Sequence, residues 1–66
     1  MINSIYKHKI SGEYLQLLKL RENNINTFLQ VDEFGKPIIR KRNYSFHKTE
    51  QKRIINGFDN LKLVMI

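Results

Sequence analysis

The chain has 66 residues, 12 Lys and Arg against 6 Asp and Glu, a formal net charge of +6 and no cysteine. A chain this short is expected to be a single small basic domain (1–66) with room for one core, hiding only about 60% of the surface its unfolded form exposes. Without cysteine, a disulfide framework, thiolate zinc sites and a cysteine nucleophile are excluded, and the basic balance turns attention to nucleic acid and acidic protein surfaces.

Taken in chain order, Ile2 to Ile10 reads as an opening strand at a sheet edge. The run Gly12 to Glu22 has two readings. Its Glu, Leu, Gln, Lys and Arg favour a helix with Tyr14, Leu17 and Leu18 on one face. The following Asn23-Asn24, able to form a two-residue hairpin loop at positive φ, favours a strand. In the strand reading that loop sets Leu18 opposite Leu29 and Leu20 opposite Thr27.

Ile25 to Val31 and Pro37 to Phe46 are β-prone runs flanking a turn that ends in glycine, the signature of a hairpin. With Glu33, Phe34 and Gly35 as a three-residue loop, Gly35 takes the left-handed position of a bulge, Asp32 faces Lys36 and Leu29 faces Ile39. Thr49 is placed to cap a short helix from Glu50 to about Asn56, closed by Gly57. Leu61 to Ile66 then reads as a final strand whose natural partner is the opening one. The expected fold is mainly β (β-rich α+β): a small antiparallel meander or SH3-like barrel with one short helix near residues 50–56.

Side chains alternate along each strand, so this register defines two faces. Leu18, Leu20, Leu29, Val31 and Ile39 form the expected core. Leu17, Lys19, Arg21, Phe28, Ile38, Arg40 and Arg42 fall on the other face, with Tyr44 and Phe46 continuing the same strand. Cations interleaved with aromatics suit nucleic acid, because Lys and Arg release counterions from phosphates and exposed rings stack on bases. Lys19, Arg21, Arg40 and Arg42 are the candidate phosphate contacts, and Phe28 and Tyr44 the candidate stacking platforms. The competing reading packs Leu17, Phe28 and Ile38 under the terminal strands or the helix, with Lys48, Lys52 and Arg53 on that helix's wet side.

Catalysis has little support. The acidic residues fall mostly in predicted turns or at element ends, Asp32-Glu33 being the one adjacent pair. No phosphate-cradling glycine loop or Ser-His-Asp spacing is present. His8 and His47 lie far apart without a neighbouring carboxylate at ligand spacing, so no metal and no cofactor is expected. No stretch approaches the roughly 20 apolar residues of a membrane span, and the amino terminus lacks a signal pattern, so a cytoplasmic protein without a membrane partner is expected. The frequent Ile, Lys and Asn suit an AT-rich genome, such as that of a low-GC bacterium, its phages or plasmids.

From Phe28 to Ile54 the order of strand, Asp32 and Gly35-Lys36 in a turn, basic second strand, Phe46 and Thr49-led helix resembles the arm-binding domains of tyrosine recombinases. That resemblance implies DNA binding through a three-stranded sheet, and it departs at Leu61 to Ile66, which reads as strand where the family continues in helix. Two non-enzymatic functions follow. The first is nucleic-acid binding, of DNA or RNA. The second is a small phage or mobile-element regulator or inhibitor that docks on an acidic host protein. The apolar tail Leu63-Val64-Met65-Ile66 adds the expectation of a homodimer through the C-terminal strand.

Overall fold

The structure is a computed structural model that describes residues 1–41 and 48–66. Among these residues every regular element is a strand: β1 (Ile5–His8), β2 (Tyr14–Lys19), β3 (Ile25–Val31), β4 (Ile39–Lys41), β5 (Lys48–Glu50), β6 (Lys52–Asn56) and β7 (Leu61–Met65). Five of them make an antiparallel sheet in the order β6-β3-β2-β1-β7, and β4 and β5 make a second, two-stranded one. The mainly β class is therefore correct. No helix among the described residues is long and apolar enough to cross a membrane.

The expected helix at residues 50–56 is replaced by the end of β5 and the whole of β6. The outer edge of β3 needs partners for its backbone groups, and Lys52–Asn56 supplies them, from Leu29 opposite Lys52 to Ile25 opposite Asn56. The adjacent β-branched residues Ile54 and Ile55 suit that ladder. Thr49, instead of capping a helix, donates its hydroxyl to the Arg40 carbonyl across β4 and β5 at 3.5 Å.

Gly12 to Glu22 resolves as strand β2, but in a different register from the expected one. Leu17 stands opposite Phe28 and Gln16 opposite Leu29, and a bulge before Lys19 brings that residue opposite Thr27. The cause is a longer turn, residues 20–24, in which Asn24 alone of the two asparagines has positive φ. The buried Asn26 holds this turn, its Oδ1 accepting the Arg21 N–H and its Nδ2 donating to the Gly57 carbonyl at 3.2 Å.

The turn after β3 forms as expected as far as Gln30. Asp32 N–H donates to the Lys36 carbonyl, Asp32 Oδ1 accepts the N–H groups of Phe34 and Lys36, and Gly35 has φ +86°. Pro37 bridges Val31, and Ile38 N–H donates to the Gln30 carbonyl. There the register ends. Gln30 N–H donates to the Gln51 carbonyl instead, so β4 and β5 pair with each other outside the five-stranded sheet and β6 takes up the line along β3. Ile39 thus pairs with Glu50 and stays exposed, where a core place opposite Leu29 was expected.

β1 and β7 pair as expected, Tyr6 opposite Leu63 and Lys7 opposite Lys62. The two sheet edges, β6 and β7, are linked by residues 57–60 alone, and Ile55 and Leu61 from these opposite edges pack on the same cluster of Leu15, Leu17 and Phe28. Edges of a flat five-stranded sheet lie about 19 Å apart, so one short link and a shared cluster require a sheet curled towards Phe28. β6 and β7 share no ladder; the sheet is not closed and the SH3-like barrel is not confirmed. A second cluster, Ile5, Leu29 and Val31 with Tyr14 and Leu18 against it, lies on the opposite face, where a Cβ at Gly35 would come within 2.9 Å of Ile5 Cδ1. The turn of residues 32–36 therefore folds over that second cluster.

Candidate functional site

The expected cationic face does not form as one surface. Leu17 and Phe28, assigned to it, are both 0% exposed and make the main core with Leu15. Phe28 meets the Tyr6 and Phe58 rings edge-on, with centroids 6.0 and 6.1 Å away. A base has no access to it, so Phe28 is a core residue and not a stacking platform. The competing reading, burial of Leu17 and Phe28 under the terminal strands, describes them correctly. Lys19 is exposed but the bulge turns it to the opposite face, beside Thr27. Arg21 is exposed in the turn of residues 20–24, its backbone tied to Asn26. Arg40 is exposed on β4. Arg42 and Tyr44, with Phe46 and His47, lie outside the described residues.

A different cationic surface is present on the face opposite Phe28. Directly paired residues share a face, so Lys7 and Lys62 stand side by side there, with Tyr14 next in the row. Lys52 follows from its place opposite Leu29, and Lys19 from its place opposite Thr27. Lys7 Nζ lies 5.5 Å above the Tyr14 ring. This lysine face surrounds the small Ile5, Leu29 and Val31 cluster. Lys7 and Lys62, from the two terminal strands, carry no signal in the sequence until the β1–β7 ladder is known.

The neighbours Lys52 and Arg53, expected together on one side of a helix, are split by strand alternation. Lys52 joins the lysine face, while Arg53 falls on the Phe28 face. There Arg53 Nη2 donates to Gln30 Oε1 at 3.1 Å, and its Nε sits 3.3 Å from Glu13 Oε2 in an ion pair without hydrogen-bond alignment. Arg53 is thus engaged within the fold.

The second cationic element is the ribbon of β4 and β5. From its root outward the pairs are Ile39 with Glu50, Arg40 with Thr49, and Lys41 with Lys48. Its single acid stands at the root and its cations beyond. On the main sheet one lysine stands directly opposite another, Lys7 beside Lys62. Like charges in that position destabilise a sheet by repulsion.

Compared with known protein families, curated proteins and solved structures, the chain matches none. The resemblance to recombinase arm-binding domains loses the Thr49-led helix on which it partly rested, since Thr49 lies in β5 and residues 52–56 in β6.

Proposed function

We propose that this domain is a non-enzymatic nucleic-acid-binding module that contacts phosphates through its lysine face and its β4–β5 ribbon. The observation that carries the reading is the Lys7–Lys62 ladder position, two lysines side by side on one face of the five-stranded sheet. That pairing costs the free protein stability, and a polyanion laid across it turns the cost into attraction. Lys7, Lys19, Lys52 and Lys62 supply the face and Arg40 the described part of the ribbon, with Arg42 adjoining it in sequence. The test is a titration with short nucleic acids at low and physiological salt. Binding that weakens steeply with salt, and a salt slope lowered by about one when Lys62 becomes Glu, supports the reading. Absence of binding at low salt rejects it.

A second reading, docking on an acidic protein, is favoured by β7. This edge strand exposes Leu63, Val64 and Met65 beside Lys62 and, among the described residues, has β1 as its one ladder partner. An exposed, mostly apolar edge is a template for another strand, from a partner or from a second copy. Light scattering over a wide dilution range separates these: a constant monomer mass rejects the homodimer.

A further inference from the structure

We infer that Phe34 is a base-stacking residue and that the ligand is an unpaired nucleic-acid strand whose phosphates lie on Lys7 and Lys62. This rests on the nucleic-acid reading above and narrows it to one class of ligand.

The first observation is how the ring is presented. Phe34, in the turn of residues 32–36, is 75% exposed, the freest ring among the described aromatic residues. Tyr6, Phe28 and Phe58 pack on one another, and Tyr14 has Lys7 Nζ over its ring. The backbone that carries Phe34 is held on both sides of it. Asp32 N–H donates to the Lys36 carbonyl at 2.8 Å and Gly35 N–H to the Asp32 carbonyl at 3.0 Å. Asp32 Oδ1 accepts the N–H groups of Phe34 and Lys36 at 2.8 and 2.9 Å. A ring fixed on such a turn is organised before a ligand arrives, so little ordering is left to oppose stacking.

The second observation is place. Gly35, next to Phe34, stands on Ile5, where an added Cβ would come within 2.9 Å of Ile5 Cδ1. Ile5 and Lys7 share a face of β1 two residues apart, about 7 Å along the strand, and Lys62 stands opposite Lys7. The turn is thus footed on the same sheet face as the lysine pair. A step of that order is comparable with the step from a base to a phosphate of its own strand.

The third is the sign of charge. Asp32 and Glu33 outweigh Lys36 in the turn, whereas Lys7 and Lys62 meet without a carboxylate between them. Phosphate is drawn to the lysine pair and repelled from the turn, while an uncharged base stacks on the ring there. Base and phosphate therefore have separate places. A duplex keeps its base faces inside its own stack and offers Phe34 nothing to cover.

The experiment uses three probes at one low salt concentration: an oligothymidine strand, its duplex with oligoadenosine, and inorganic polyphosphate, which has charge without bases. The chain contains no tryptophan, so Phe34→Trp puts a single indole at this position. Its fluorescence is expected to be quenched by the single strand and not by the duplex or polyphosphate. Phe34→Ala should weaken single-strand binding about five- to hundredfold, the worth of one stacked base, and the other two by less than about twofold. Lys62→Glu should weaken all three. Melting temperatures of both Phe34 variants close to the parent's establish that they fold, as substitution at an exposed ring allows. Single-strand affinity unchanged in Phe34→Ala, equal weakening of all three probes, or equal quenching by polyphosphate overturns the inference and leaves the nucleic-acid reading standing; so does binding of the duplex alone. No binding of either nucleic acid overturns both.

Discussion

The two faces of the five-stranded sheet divide the work of the molecule. One buries Leu15, Leu17 and Phe28 beneath Tyr6, Ile55 and Leu61, and the curl of the sheet closes over it. The other keeps the smaller Ile5, Leu29 and Val31 cluster under the turn of residues 32–36 and gives its margin to Lys7, Lys19, Lys52 and Lys62. A chain of this size thus obtains two thin cores from one sheet, and gathers exposed lysines on the side where its core is smaller. On the first face substitutions are read as lost stability. On the lysine margin the proposed function expects them to alter binding, with stability moving the opposite way.

The strongest test of this division is Phe28→Ala. Emptying a fully buried aromatic site costs about 3–5 kcal/mol, comparable with the whole stability of a domain this small, about 0.05–0.15 kcal/mol per residue. Loss of a cooperative transition in thermal melting is the expected result; a melting temperature within a few degrees of the parent would contradict the assignment of Phe28 to the main core.

Asn26→Ala comes next. Its amide links the turn of residues 20–24 to Gly57, and removing it leaves the Arg21 N–H and the Gly57 carbonyl without these bonds. A loss of about 1–3 kcal/mol is expected from urea unfolding. Amide exchange should accelerate at both turns together, and acceleration at only one would show that they are not coupled through this side chain.

Gly35→Ala probes the smaller core. Gly35 has φ +86°, and an added Cβ would stand 2.9 Å from Ile5 Cδ1. The left-handed backbone alone costs an L-residue about 1–2 kcal/mol. The loss should be visible in chemical denaturation, with methyl shifts at Ile5; an unshifted Ile5 would place the turn elsewhere.

Lys62→Glu has the smallest effect on stability and the most diagnostic sign. Replacing a like-charge cross-strand pair with an opposite pair should stabilise the free protein by about 0.2–1 kcal/mol, while nucleic-acid affinity falls. A variant that loses stability, or binds as tightly as the parent, would separate the Lys7–Lys62 position from ligand binding.

Much of the strand order was legible because its signals are local. Ile25–Val31 is β-prone and bounded by turns, Asp32 and Gly35 fit their turn by side-chain hydrogen bonding and positive φ, and the terminal strands pair as their composition suggests. The residues 50–56 were misread because Thr49 followed by Glu50 is a local helix-start signal, whereas the open edge of β3 is a tertiary demand that outweighs it. The assumption of a single core misassigned Phe28. Adjacent apolar residues at Leu17-Leu18 and Phe28-Leu29 were the available sign that both faces are buried, since alternation sends neighbours to opposite sides. Of the six site residues named from sequence, Lys19 and Arg40 keep their place in the proposed interface and Phe28 leaves it. Arg21 stands apart in its turn, and Arg42 and Tyr44 lie outside the described residues.

By itself the sequence determined the basic charge, the absence of cysteine chemistry, the β-rich class and the turn at Gly35, all of which depend on composition or on residues near one another in the chain. Tertiary structure decided the register of β2, the separate pairing of β4 with β5 and the meeting of Lys7 with Lys62. These depend on which backbone edge is left to be satisfied and on which distant strand arrives to satisfy it, and no local preference encodes that choice.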